Sequence, residues 1–510
     1  MLGSMAVATS HPLAAQAGLG VLRAGGNAVD AAVATAAVLT VVEPTANGLG
    51  SDAFALVVDG DVHGYNGSGR SPRSWTPERF AGLDAMPRRG WDAVTVPGAV
   101  ALWATLVERH GSLPFADLLA PAIRHARDGF LVSPGVARAW ARAAGELRAF
   151  PAWAATFLRD GEAPRPGQLW RAPDHAATLE ELGRTAGRSL YSGALAERIE
   201  AASASGAAIS GAAISGAALS ADDLVAHATE PCRPLSVPFR GCELVELPPN
   251  GQGIAASIAA GVLDRIGDRG LHGQIEAMKL AFADAHRFVA DPDSMDVDPA
   301  DLLDPAWLDA RAARVTDRAE LPSHGLPPHS STVSLCVGDA GGRMVSFIQS
   351  NYEGFGSGIV VPGTGIAMQN RGAGFTLEPG HPNRVGPGKR PFHTIIPALI
   401  RVDGQVRVAF GVMGGPMQPQ GHLQVLTHLA SGLDPQAALD APRWRLGPDR
   451  TVWLEPGLVH AADDLRRRGH DPVVVDDGSV FFGGGQAIVR VDDGYVAGSD
   501  GRRDGQAVVS

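Results

Sequence analysis

Apolar residues recur at helical spacing through most of this chain and switch to short alternating runs near residue 330. Ser10-His11-Pro12 opens a helical pattern through Leu13, Ala17 and Val21, with Ser10 placed as the N-cap and proline in the first turn. Gly25-Gly26-Asn27 stops it, and residues 28–41 predict a second helix of very small side chains, suited to close packing on a sheet or another helix. Asn47 to Asp52 is a Gly-rich turn feeding a strand over 53–58, and from Trp91 to about Ile199 the period is that of a helical block. Residues 242–249 read as a strand. An amphipathic helix follows through Ile254, Ile258 and Val262, then another through Ile275, Met278, Phe282 and Phe288, with Glu276, Lys279 and Asp284 expected on its more exposed side.

After Ser330 the pattern predicts strands over 333–337, 344–349, 359–361, 398–402 and 406–412, a helix carrying Leu423, Val425, Leu426 and Leu429, and further strands near 473–475, 486–491 and 495–497. Long helical segments around two groups of strands predict a layered α/β architecture. Neither a dinucleotide fingerprint after a strand nor a phosphate loop is present, which argues against a Rossmann sheet. Three copies of a five-residue Ser-Gly-Ala-Ala-Ile/Leu unit within 205–220 are too short for a solenoid and read as a replicated loop or helix end. The crowded acids Asp291, Asp293, Asp296, Asp298 and Asp301 lack the Gly and closing Glu of a calcium loop and read as a solvated acidic loop.

Composition narrows the function. The 510 residues are 45% hydrophobic and 19% charged, as in an ordinary globular protein. A net charge of −11 argues against a nucleic-acid or anionic-membrane surface, both of which demand clustered Lys/Arg, so small molecules are the expected partners. The N-terminus shows no basic segment leading into an apolar run, and the most apolar stretch contains Asp30 and is too short for a bilayer of about 30 Å, so a cytoplasmic location is expected. Cys232, Cys242 and Cys336 have no metal-ligand spacing and read as small buried hydrophobes.

The candidate chemistry lies at the switch of period. Ser330-Ser331-Thr332-Val333-Ser334-Leu335, then Gly341-Gly342 and Val345 to Ser350, form a hairpin pattern with a threonine at its start. A threonine hydroxyl is a weak nucleophile and needs a base close by. An α-amine, with an ordinary pKa of roughly 7.7–8.0, serves as that base at neutral pH only if Thr332 becomes a chain terminus. The pattern therefore reads as a precursor in which Thr332 cleaves the Ser331–Thr332 bond.

In order along the chain stand Ala6 to Ala14, Gly25-Gly26-Asn27-Ala28-Val29-Asp30-Ala31-Ala32, Val96-Pro97-Gly98, Pro248-Pro249-Asn250-Gly251-Gln252-Gly253, Glu276 to Phe282, the Thr332 region and Gly414-Gly415. Through these segments nearly the whole chain resembles the γ-glutamyltranspeptidase family of N-terminal-nucleophile hydrolases. The resemblance implies a four-layer αββα sandwich and one intertwined unit that is cut into a large subunit, 1–331, and a small subunit, 332–510. A dimer of such heterodimers is among the assemblies it allows.

The family's spacing to the hairpin glycine selects Thr332, ten residues before Gly342, over Ser330 and Ser331. It makes Ser350 a hydroxyl bonded to the nucleophile, and Gly414 and Gly415 the oxyanion hole. It implies no metal or organic cofactor.

The same resemblance shows departures at the substrate pocket. Where γ-glutamyl enzymes hold an α-carboxylate with arginine, this chain has Ser68 in Asn66-Gly67-Ser68-Gly69-Arg70; where they hold an α-amine with acids, it reads Gln369-Asn370-Arg371-Gly372-Ala373-Gly374-Phe375. Two assisting serines are replaced by His393-Thr394. Losing acid and gaining Arg371 and His393 moves the local preference from an ammonium towards an anion. Arg371, His393, Thr394, Asn370 and Arg70 are the expected substrate contacts. The expected substrate is a small amide whose acyl part carries a carboxylate but no α-amine, as in the oxamate-amidohydrolase and glutaryl-acylase branches of the family. A true γ-glutamyl hydrolase or transpeptidase and an unprocessed, silent homologue are the alternatives. Val333 and Ser334, where the family often has Thr or Ser and His, motivate the second.

Overall fold

In the computed structural model, which describes residues 1–206, 219–268, 270–321, 331–475 and 480–510, two seven-stranded sheets form the centre. One runs Gln506–Val509, Ala6–Thr9, Ser331–Gly338, Met344–Tyr352, Asp52–Asp59, Asp61–Gly67, Glu230–Cys232. The other runs Leu2–Gly3, Gly494–Ser499, Gly484–Val491, Gln405–Met413, Ala398–Val402, Cys242–Glu246, Leu235–Phe239. All neighbours in both sheets are antiparallel. Each sheet takes strands from both sides of Thr332.

Strand pleating explains the layers. Val333, Leu335, Val337, Val345 and Phe347 point into one core with Pro12–Arg23, Ala28–Val42 and the helical block. Their neighbours Cys336, Met344 and Ile348 point the other way, into a core between the sheets with Leu399, Ala409 and Ile488. Outside the second sheet, Phe410 and Val412 meet Gly253–Arg265, Leu271–Phe288 and Met417–Ala430. The result is the four-layer α/β sandwich. Every residue of Ala28–Val42 is buried, and small side chains are what allow a helix to sit inside a layer.

Several expectations change. His11, not Ser10, caps the first helix, its ring nitrogen accepting Leu13 N–H, while Ser10 Oγ donates to buried Glu43 at 2.6 Å. The second helix opens on a capping box of Asn27 and Asp30. Glu276, Lys279 and Asp284 are buried rather than exposed, because Lys279 pairs with Glu276 at 2.7 Å and Asp284 with Arg311 at 2.8 Å. Asp293, Asp296, Asp298 and Asp301 are exposed, but Asp291 is buried against Arg70. Cys336 is buried, whereas Cys232 and Cys242 are only partly so. Residues 207–218, most of the repeat, lie outside the described residues. Among the described residues no helix is long and apolar enough to cross a membrane.

Candidate active site

Thr332 sits where the hairpin register slips. Ser331 pairs with Tyr352 and Val333 with Gln349, so Ser350 and Asn351 both oppose Thr332 in a bulge. Such a bulge re-aims side chains at the end of a ladder. Thr332 Oγ1 donates to Ser350 Oγ at 3.3 Å, and that oxygen also accepts Tyr352 N–H at 2.8 Å. Both hydroxyls are fully buried.

The facing sheet supplies the next group. Ser346 Oγ donates to Phe410 O at 2.9 Å and accepts Ala398 N–H at 3.2 Å, pinning the hairpin to Gln405–Met413. Directly after that strand come Gly414 at φ 133° and Gly415 at φ 61°, left-handed conformations that favour glycine. The Gly415 carbonyl is turned away, accepting Gln252 Nε2–H at 2.9 Å and Gln418 N–H at 3.0 Å. The Gly414 and Gly415 amides donate to no described residue. Two such amides are a ready cradle for a developing oxyanion.

Arg371 closes the arrangement. Its guanidinium lies over the Tyr352 ring at 4.7 Å and donates through Nη1 to Thr394 Oγ1 at 2.8 Å. The Thr394 carbonyl accepts Gln252 Nε2–H at 2.6 Å. Contacts therefore run unbroken from Thr332 through Ser350, Tyr352, Arg371, Thr394 and Gln252 to Gly415. Arg371 is buried, and its Nε and Nη2 have no partner among the described residues. Burial draws its pKa down to about 10, which leaves it charged at neutral pH.

The other expected contacts are differently employed. His393 Nε2 donates to Asp52 Oδ2 at 3.1 Å and its Nδ1 accepts Ile395 N–H at 3.4 Å, so neither nitrogen is spare; burial holds the ring neutral. Asn370 donates to Arg88 O at 3.0 Å and accepts Glu353 N–H at 3.1 Å, a loop brace. Arg70 is half-exposed and pairs with Asp291 at 2.6 Å and Glu230 at 3.2 Å, with no contact to the Thr332–Arg371 chain. The structure joins Thr332, Ser350, Arg371, Thr394 and Gly415, adds His393 through Asp52, and leaves Arg70 outside.

Gln252, Tyr352 and Asp52 were not singled out from sequence. Gln252 stands in the quoted Pro-Pro-Asn-Gly-Gln-Gly run, which could have flagged it. For Tyr352 and Asp52 the only signal was their place beside the hairpin and the Gly-rich turn. One described group has metal-ligand geometry, His272, Glu276 and His470. Lys279 Nζ already sits 2.7 Å from Glu276 Oε1, and His272 Nδ1 and His470 Nε2 hydrogen-bond each other at 2.8 Å, so the atoms that face one another are paired without a cation.

Residues 14–510 match the family model described as Gamma-glutamyltranspeptidase. An oxamate amidohydrolase proenzyme of Klebsiella pneumoniae is 40% identical, over 99% of this chain and 98% of that protein. The glutathione hydrolase-like YwrD proenzyme of Bacillus subtilis is 36% identical, over 98% of each. The crystal structure of a cephalosporin acylase from Bacillus halodurans superposes with a TM-score of 0.94 at 45% identity, over 100% of this chain and 96% of that one.

Proposed function

The chain belongs to the γ-glutamyltranspeptidase family, and from that premise we propose that it is a self-processing amidohydrolase acting on small amides whose acyl part carries a carboxylate and no α-amine. In maturation, Thr332 Oγ1 attacks the Ser331 carbonyl, the C–N bond breaks to leave an ester, and water hydrolyses the ester to a Ser331 carboxylate and a free Thr332 amine. In turnover, that amine takes the hydroxyl proton as Oγ1 attacks the substrate amide. The Gly414 and Gly415 amides hold the oxyanion, and one such donor is typically worth about 2.7–4 kcal/mol. The proton passes to the leaving amine, and water releases the acid.

The observation that carries the substrate class is the unpartnered edge of buried Arg371. Nε and Nη2 are the parallel donors of a side-on guanidinium, the geometry that receives a carboxylate through two bonds. The names of two relatives agree with this reading. Oxamate places a carboxylate next to its amide with no α-amine, and the other relative is a cephalosporin acylase. Ser68, where γ-glutamyl enzymes carry arginine, instead bonds Asn66 at 2.7 Å.

Two measurements test the proposal. A denaturing gel of the purified protein is expected to show two bands that collapse to one, with activity abolished, in Thr332→Ala; a single wild-type band after long incubation overturns self-processing. Hydrolysis of oxamyl, glutaryl and γ-glutamyl anilides is expected to favour the first two. A strong γ-glutamyl preference overturns the substrate class and favours the activity suggested by the name of the Bacillus subtilis relative.

A further inference from the structure

Asp52 begins the strand that pairs with Met344–Tyr352, directly opposite Ser350. Its carboxylate is fully buried and touches no arginine or lysine among the described residues. Oδ2 accepts His393 Nε2–H, and Oδ1 accepts the amides of Gly69 at 3.3 Å and Gly98 at 3.1 Å. Because His393 Nδ1 is an acceptor, the ring proton lies on Nε2 and the imidazole is neutral, so it brings no positive charge to Asp52.

Burial pushes Asp52 up to about 7, and Arg371 is the strongest influence in the opposite direction, with Arg390 last. Arg390 is itself bonded to Glu230 at 2.7 Å and to Ser68 O at 3.0 Å. Tyr191, the other titratable group that senses Asp52, donates to Pro97 O and is pushed up by burial, so it stays neutral. The remaining groups around Arg371 are Tyr352, raised to about 12 by burial, and Glu353, which is paired with Arg88 and Arg89. Asp52 bonds His393 and Arg371 bonds the next residue, Thr394, so a buried carboxylate and a buried guanidinium are held by adjacent residues of one segment without an ion-pair contact, and the cation keeps two donors unpartnered among the described residues.

Resting on the reading of Arg371 as the carboxylate receptor, we propose that Asp52 is the internal counter-ion of the acyl site, displaced electrostatically when a substrate carboxylate arrives. The incoming carboxylate takes over the charge of Arg371, and Asp52, losing that field, takes one proton from solvent; no covalent bond changes. Asp52 is a positioning residue in this scheme. It offsets part of the Arg371 charge when the site is empty and couples anion binding to a proton. Below pH 7 Asp52 is already protonated and affinity is level. As pH rises past about 7 a proton must be drawn with each carboxylate, and affinity falls by up to about tenfold per unit. A neutral acyl group draws none and shows no such slope.

Calorimetry of the processed protein at pH 7.5, in buffers of different ionisation heat, tests this with oxalate and glutarate, which cannot be cleaved. Uptake of roughly half to three-quarters of a proton per bound ion is expected, falling to zero in Asp52→Asn, whose affinity is expected to be flat with pH. If neither ion binds, or both bind Arg371→Met as they bind wild type, the carboxylate reading of Arg371 falls and the coupling with it. If binding requires Arg371 but takes up no proton, or the uptake persists in Asp52→Asn, the Asp52 coupling alone is overturned. Should Asp52→Asn not fold, the wild-type proton count followed with pH decides the matter: uptake at pH 7.5 that fades well below pH 7 upholds the coupling, and no uptake at pH 7.5 overturns it.

Discussion

Arg443 and Arg371 are two fully buried arginines of the C-terminal half, and their surroundings differ in kind. Arg443 gives Nη2 to Asp500 at 2.8 Å and to Leu439 O at 3.2 Å, and Nη1 to Phe482 O at 3.1 Å, leaving only Nε over. Arg371 meets no carboxylate at contact distance among the described residues, bonds only the neutral Thr394 hydroxyl, and keeps Nε and Nη2 open. A buried cation is expensive unless paired. One that holds the fold together finds its anion in the chain, as Lys279 also does in Glu276. One whose donors stay open is set for an anion that comes from outside.

The contrast is broken most directly at Arg443. Arg443→Met leaves Asp500 with Arg502 alone, at 3.1 Å, and is expected to destabilise the protein by about 3 kcal/mol, read as a clear fall in Tm. A Tm equal to wild type would remove the distinction between the two sites. Arg371→Met is expected to change stability by less than about 1 kcal/mol at pH 7, because Asp52 neutralises by taking a proton when the cation is lost. It should instead lower kcat/KM for carboxylate-bearing amides by about 10- to 100-fold, the loss of charge-assisted bonds of about 1.5–3 kcal/mol, and spare a neutral analogue. Equal losses on both substrates would make Arg371 structural. The smallest effect is expected at Ser350→Ala, where one hydrogen bond of about 1 kcal/mol to the nucleophile is removed. Both the appearance of the second band and the turnover rate should slow by less than about tenfold, and unchanged rates would reduce Ser350 to an ordinary strand residue.

Much of the frame was legible in the chain because its signals are local. Apolar alternation marked the strands around Thr332, and the small side chains of Ala28–Val42 announced a helix packed within a layer. Misreadings arose where a partner far along the chain decides. Ser10 suits an N-cap by type, but Glu43 captures its hydroxyl and the cap passes to His11. Glu276 and Lys279 look like surface charge on a helical wheel; in the fold their mutual ion pair lets both be buried. Arg70 stands two residues after Ser68 in the segment compared with the family's carboxylate clamp, yet it is paired with Asp291 and Glu230.

What the sequence by itself determined is the period of each segment, the place where helices give way to strands, and the residue types at the candidate site. These depend on neighbours a few positions apart. The tertiary structure alone decided which charges meet. Arg371, Asp52, Gln252 and Thr332 come from four separated stretches, and only the stacking of two sheets brings them within reach of one another. Whether a buried charge is closed or open depends on where the rest of the chain places its counter-ions, because Coulombic and hydrogen-bond energies follow distance in space and not separation along the backbone.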